Sequence, residues 1–250
     1  MERNDADEAS DSGLDVLFFE QDCLVINKPG GILTQAPAGI VSIEALVRQI
    51  FRNTTSDASN VYVGMPHRLD RPASGVMLFG QSKPVTRKLA TQFEKRTIKK
   101  TYWVIVEGIV ANAEGAWSDW MRKLPEQPQS EIVEASHPDA QNALLEYKVV
   151  QRSDRFSFLQ IALETGRTHQ IRLQAASRGF PVVGDHQYGA VATFGPQTDD
   201  QRKRWIGLHA REIDFWHPRL HRPTIVTAPL SQYWRNADFG FDFTQIESNE

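Results

Sequence analysis

Met65-Pro-His-Arg-Leu-Asp-Arg-Pro-Ala-Ser-Gly-Val-Met-Leu-Phe-Gly80 is the stretch on which the reading of this chain turns. Asp70 stands between Arg68 and Arg71, with His67 just upstream, and nearby positive charge holds a carboxylate in its ionised form. Pro72 stops any helix at this point, and Gly75 is expected to let the backbone turn before the apolar run Val76-Met-Leu-Phe79. A carboxylate on a stiff loop leading into a buried strand is a candidate chemical centre. A solvated Arg-Asp-Arg turn has the same composition, so the surrounding chain has to decide between the two.

The 250 residues are 40% hydrophobic, enough to bury a real core within one domain. No apolar run approaches the length of a membrane span, and the start, Met1-Glu-Arg-Asn-Asp, lacks secretory or transit character. The single cysteine, Cys23, precludes an internal disulfide and a cysteine-based zinc site, and it fits a reducing, cytoplasmic setting. Flanked by Leu24-Val-Ile26, it reads as a buried structural thiol. The net charge of −3 argues against a nucleic-acid partner only until its distribution is considered. Residues 1–22 hold eight acids against Arg3, so the remainder of the chain is net positive by four. From His67 to Val106 nine Lys and Arg face only Asp70 and Glu94. A basic centre around Asp70 suits a phosphate-rich partner.

Upstream of that centre, residues 1–13 are acidic and lack aromatics, and they read as a disordered tail. Val16-Leu-Phe-Phe19 and Leu24-Val-Ile-Asn27, separated by Glu20-Gln-Asp22, read as a β-hairpin, and Lys28-Pro-Gly-Gly31 breaks the chain after it. Ser42 is placed to cap a helix with Ile43, Leu46, Val47, Ile50 and Phe51 on one face. Downstream, Ser82-Lys-Pro84 opens a helix with the stripe Val85, Leu89, Phe93. Strands are expected at Lys99–Gly108, Leu144–Val150 and Phe156–Leu163, with a polar excursion between Gly115 and Asn142 that has room for a short hairpin.

Glu164-Thr-Gly-Arg-Thr-His-Gln-Ile-Arg-Leu-Gln-Ala-Ala-Ser-Arg-Gly179 reads as a turn followed by about three helical turns, with Thr168 as cap and Gly179 closing the C-terminus. His169 and Arg172 share a face of that helix, and its N-terminal N–H groups beside Arg167 would suit a phosphate. Pro181-Val-Val183 is expected as a strand before the loop Gly184–Gly189. Leu208–Pro218 and Thr224–Pro229 read as a closing hairpin. With short turns between most strands, the fold class is α+β: a mixed, largely antiparallel sheet with flanking helices. The catalytic domain is taken as residues 14–236, with 237–250 a C-terminal tail.

His67-Arg-Leu-Asp-Arg-Pro-Ala-Ser-Gly75 resembles the central motif of the RluA family of RNA pseudouridine synthases. Further pieces match in order: Asn27-Lys-Pro-Gly-Gly31, Lys100-Thr-Tyr102, Gly166-Arg-Thr-His-Gln-Ile-Arg172, Pro181-Val-Val-Gly-Asp185 and Leu208-His-Ala210. The pieces run from Asn27 to Ala210, nearly the whole of the chain between Leu14 and Pro229, and the early Asn-Lys-Pro turn leads us to expect no accessory RNA-binding domain upstream. The resemblance implies the pseudouridine synthase catalytic fold and a cofactor-free isomerase. Such an enzyme flips a uridine out of structured RNA, a stem-loop of tRNA or ribosomal RNA, breaks its N1–C1′ bond and rejoins the base through C5.

It implies Asp70 as the essential carboxylate, acting either on the ribose or on uracil C6, with Arg172 as the paired cation. Tyr102 would pack on the base and serve in proton removal from C5, although by spacing alone a strand tyrosine turned into the core fits better. Arg68 would fill the gap left by the flipped nucleotide, while His67, Arg71, Arg167 and His169 would line the RNA path or brace the loop. No membrane or obligate protein partner is implied.

Two other readings compete. His169, His186, His209, His217 and His221 crowd the C-terminal third, but no pair has His-x-x-x-His spacing on one expected helix, so no metal site is assigned. A non-catalytic RNA-binding module would keep the basic stretch but has no use for a carboxylate in its phosphate path.

Overall fold

The structure, a computed structural model, describes residues 13–55 and 58–248. The acidic segment 1–12, expected to be disordered, lies outside the described residues. In chain order the strands are β1 (Asp15–Glu20), β2 (Cys23–Lys28), β3 (Ser74–Gly80), β4 (Lys99–Glu107), β5 (Glu114–Lys123), β6 (Ser130–Ile132), β7 (Gln141–Arg152), β8 (Phe156–Leu163), β9 (Leu208–Trp216) and β10 (Pro223–Thr227). The helices are α1 (Ile43–Asn53), α2 (Lys83–Glu94), α3 (Gln170–Ala176), α4 (Gln232–Arg235) and α5 (Phe243–Ser248). The expected α+β class holds. The chain gathers into two compact units where the sequence reading had one domain over 14–236. The first runs up to Lys99 and includes Ala210–Pro229; the second comprises Lys100–His209 and the segment from Leu230 onward.

In the first unit, β1 and β2 form the expected antiparallel hairpin, closed by Gln21 and Asp22. Both turn residues have positive φ (45° and 66°), the turn sense that follows the twist of the flanking strands. β2 pairs antiparallel with β3, and all seven residues of β3 are buried. Burial on both faces explains why this strand reads as an unbroken apolar run and not as an alternation. β9 lies beside β3, and β10 closes an antiparallel hairpin with β9. Ser42 caps α1, its hydroxyl accepting from the Ala45 N–H at 3.3 Å. Ser82 precedes α2 without capping it; its hydroxyl donates instead to Asp22 Oδ2 at 2.9 Å.

Gly75 does not turn the chain ahead of a strand, as the sequence suggested. It sits inside β3 with φ 117°, where an added Cβ would lie 2.2 Å from the Ala210 carbonyl oxygen and 2.5 Å from its nitrogen. The residue is needed because the β9 backbone passes directly over it.

The second unit is an antiparallel run in the order β4-β8-β7-β5-β6. The excursion expected between Gly115 and Asn142 is mostly regular, since β5 pairs with β7 from Glu114 to Met121. Pro181–Val183 forms no strand. Pro181 has no N–H to give to a ladder, and only one bridge, Val182 to Val106, is made before the chain turns at Gly184. The segment 237–250, expected as a tail, packs as far as it is described. Phe241 and Phe243 are buried with Trp103, Phe158, Phe194 and Trp234.

Gly75→Ala combines a backbone collision with an unfavourable φ and should destabilise the protein by about 2–4 kcal/mol. Gly179, with φ 81° but nothing within 4 Å of an added Cβ, should lose only about 1 kcal/mol on the same change. Urea unfolding of the two variants checks the ranking, and equal losses would show that the β9 approach is not what demands Gly75.

Candidate catalytic site

The loop carrying Asp70 is pinned through its own carbonyls. The Leu69 carbonyl accepts from Thr34 Oγ1 at 2.9 Å, and the Asp70 carbonyl accepts from the Ala73 N–H at 3.2 Å across a turn centred on Arg71 and Pro72. The Arg71 carbonyl accepts from the Gly31 N–H at 2.8 Å, and Arg71 Nε donates back to the Gly31 carbonyl at 3.0 Å. Beneath these lies Lys28, with no exposed surface at all. Its Nζ reaches the carbonyls of Pro29 at 2.8 Å, Arg71 at 3.1 Å and Ala73 at 2.8 Å. The Asp70 side chain is left half-buried.

Burial drags the Lys28 ammonium down to about 7, against the attraction of Asp70 and with the repulsion of Arg71. Sequence reasoning saw Lys28 only as part of a turn. The signal was there: a lysine ending a strand that opens with the apolar run Cys23-Leu-Val-Ile26, directly before Pro-Gly-Gly.

The other residues expected near Asp70 divide by role. His67 stacks on Phe93, ring centres 4.6 Å apart, and its Nε2 accepts from the Leu78 N–H at 2.9 Å. Accepting at Nε2 makes the ring neutral with its proton on Nδ1, so His67 ties the loop to β3. Arg68 is exposed.

In the second unit, Tyr102 is half-buried on β4, opposite Ile161 of β8. Arg172 on α3 is 3% exposed and forms a bidentate pair with Asp185: Nε to Oδ2 at 2.6 Å, Nη2 to Oδ1 at 2.8 Å. Nη2 also donates to Gln187 Oε1 at 2.7 Å. A planar fork gripped along one edge has little freedom to swing. Asp185, Gln187 and the neighbouring Tyr188 were not singled out from sequence. Their signal was the polar loop Asp-His-Gln-Tyr between two glycines, Gly184 and Gly189.

The helix start differs from the expectation. Thr168 does not cap it; its carbonyl accepts from Ser130 Oγ at 2.8 Å. The cap position falls to His169 in the left-handed conformation, and the helix is seven residues long. Gln170 Oε1 takes the Arg167 N–H at 3.0 Å and the Thr165 hydroxyl at 2.7 Å. Arg167 itself reaches back to β7, Nε to the Asn142 carbonyl at 2.9 Å and Nη1 to Gln141 Oε1 at 3.0 Å. Gln174, fully buried, donates to Asp119 Oδ2 at 2.7 Å and the Trp117 carbonyl at 3.1 Å. α3 is thus held to β5 and β7 by satisfied buried amides, not by apolar packing alone.

Comparison with known proteins places these features in context. The family described as RNA pseudouridylate synthase matches residues 22–177. The tRNA pseudouridine synthase C of Haemophilus ducreyi is 30% identical, over 93% of this chain and 98% of its own length. An uncharacterized RNA pseudouridine synthase of Bacillus subtilis, YhcT, is 32% identical over 89% of this chain and 70% of its own. Among solved structures, human RNA pseudouridylate synthase domain containing 4 superposes with a TM-score of 0.73 at 19% identity, over 92% of this chain and 94% of that one, a likeness of fold.

Lys28 makes a pH-dependent contribution whose sign follows from its depressed pKa. Below about 7 the amine is charged both folded and unfolded; from about 7 to the unfolded value near about 10.4 only the unfolded chain carries the proton. The unfolded state then binds more protons, so stability rises with pH across that window. Urea midpoints for wild type and Lys28→Met at pH 7, 8 and 9 should diverge, the wild type gaining on the variant. Parallel pH profiles would show that Lys28 does not titrate there.

Proposed function

This chain belongs to the RNA pseudouridylate synthase family, and from that premise we propose that Asp70 is the carboxylate on which its reaction depends. The activity is the isomerisation of uridine to pseudouridine in RNA. The N1–C1′ bond breaks, a C5–C1′ bond forms, C5 gives up a proton and N1 takes one, so no oxidant, reductant or cofactor is consumed. The target base has to leave its stack first, at about a few kcal/mol.

One observation supports Asp70 above all: half-buried, it opens a turn in a loop whose carbonyls are tied down by Lys28, Gly31 and Thr34. A carboxylate in a site that closes on its substrate needs fixed direction and nearby positive charge to remain ionised. Arg68 and Arg71 flank it in sequence, and Lys28 lies close enough for Asp70 to perturb it. In that state the carboxylate attacks or deprotonates the ribose, or adds to uracil C6.

The family resemblance assigns Arg172 and Tyr102 to the same reaction. For Arg172 the support is its rigid grip by Asp185, which fixes the direction of the guanidinium. For Tyr102 it is a half-exposed position on a strand, where a ring can be presented to a base and its hydroxyl to a proton in transit. Exposed Arg68 is assigned to the gap left by the flipped nucleotide, where a flat cation stacks on neighbouring bases. The substrate is taken to be a stem-loop of tRNA or ribosomal RNA, read largely by shape, and the setting to be the cytoplasm. The relatives include a tRNA pseudouridine synthase and the ribosomal large subunit pseudouridine synthase D of Xanthomonas campestris.

Tritium release from RNA labelled at uracil C5 tests the assignment. Asp70→Asn keeps the size and loses the charge, so release should fall to background while RNA affinity stays within about threefold. Tyr102→Phe should bind normally and turn over about 10²–10⁴ times more slowly, the range for a lost proton-transfer group. Appreciable release by Asp70→Asn would remove Asp70 from the chemistry.

A further inference from the structure

Tyr188 makes three contacts that the reading above does not use. It ends the single helical turn His186–Tyr188, three residues after Asp185. Its ring lies under the Arg172 guanidinium, 5.0 Å from ring centre to the central carbon. Its hydroxyl accepts from the Ser130 N–H at 3.0 Å and lies 3.0 Å from His169 Nδ1.

Each contact meets a group that needs holding. His169 has φ 55° and ψ 27°, a left-handed conformation that a residue with a Cβ adopts only when its surroundings impose it. Arg172 is gripped along one edge by Asp185 and at Nη2 by Gln187, whose own Nε2 donates to the Pro128 carbonyl at 2.9 Å. These contacts act within the plane of the fork. The ring beneath its face bears on that plane from the side. The hydroxyl meanwhile ties the same tyrosine to the start of β6, where Ser130 also reaches the Thr168 carbonyl.

We propose that Tyr188 is a positioning residue for the isomerisation: its ring sets the plane of Arg172, and its hydroxyl holds the left-handed turn at His169 against β6. This rests on the reading of Arg172 as a residue of the reaction. Ring and hydroxyl are therefore separable. The ring acts on the chemical step through Arg172, and the hydroxyl acts on the placement of the loop that carries Arg167 to His169.

The test is a cycle of variants in single-turnover tritium release, with RNA affinity measured separately by filter binding. Tyr188→Leu, which removes ring and hydroxyl together, should slow the maximal rate about tenfold to a hundredfold and also weaken affinity. Tyr188→Phe, which keeps the ring and loses only the hydroxyl, should recover that rate to within about threefold while affinity stays as weak as in Tyr188→Leu. Arg172→Lys keeps a charge for Asp185 but has no flat face, so adding Tyr188→Leu to it should slow the rate no further. A residue that only supports the fold would give additive losses in the two backgrounds, and Tyr188→Phe would then lower rate and affinity together.

Full rate in Tyr188→Leu, or additive losses with Arg172→Lys, overturns the inference while Asp70 and Arg172 keep their roles. A normal rate in Arg172→Lys, and in Arg172→Met if that variant folds, overturns the reading of Arg172 and this inference with it, leaving Asp70 untouched.

Discussion

An ammonium group with no access to water has to find its hydrogen-bond partners in the protein, and Lys28 finds them in the backbone of the Asp70 loop. Its three acceptors include the carbonyls of Arg71 and Ala73, one residue and three residues beyond Asp70. The cost of burying the charge is offset only if these carbonyls stay where they are, so lysine and loop define each other. Thr34 and Gly31 complete the clamp, and His67 bonds the near end of the loop to β3. A half-buried carboxylate is thereby given a direction by groups that have no part in its chemistry.

The second unit solves the same problem for a cation. Arg172 is buried, and a buried charge is tolerated when it is paired and its remaining donors are met. Asp185 supplies the pair, Gln187 a further acceptor, and Tyr188 a face. The short helix that carries Arg172 is itself bonded into the sheet by Gln170 and Gln174, whose amides make contacts that apolar side chains could not direct so narrowly. Both units thus use buried polar networks at the candidate residues, where rigidity matters more than net stability.

Elements with a local cause were legible in the sequence. The β1–β2 hairpin followed from two apolar runs and a short polar turn, α1 from its cap and apolar stripe, and β4 and β8 from their aromatic and β-branched content. The misreadings share a different origin. Gly75 answers to a strand more than a hundred residues away, Thr168 yields the cap position to His169, whose left-handed turn meets Tyr188 from a later loop, and the segment after 236 packs because buried aromatics elsewhere in its unit need covering.

The sequence by itself determined the class of fold, through the spacing of apolar runs along the chain, and the family, through ordered motifs whose resemblance implied Asp70, Tyr102 and Arg172 as candidates. Only the tertiary structure decided that Lys28 is buried, that Arg172 is held by Asp185 and Tyr188, and that His67 braces a loop. Those roles arise when distant backbone carbonyls, side chains and rings are brought within hydrogen-bonding or van der Waals range. No local propensity encodes that proximity, since it is a property of the packed chain.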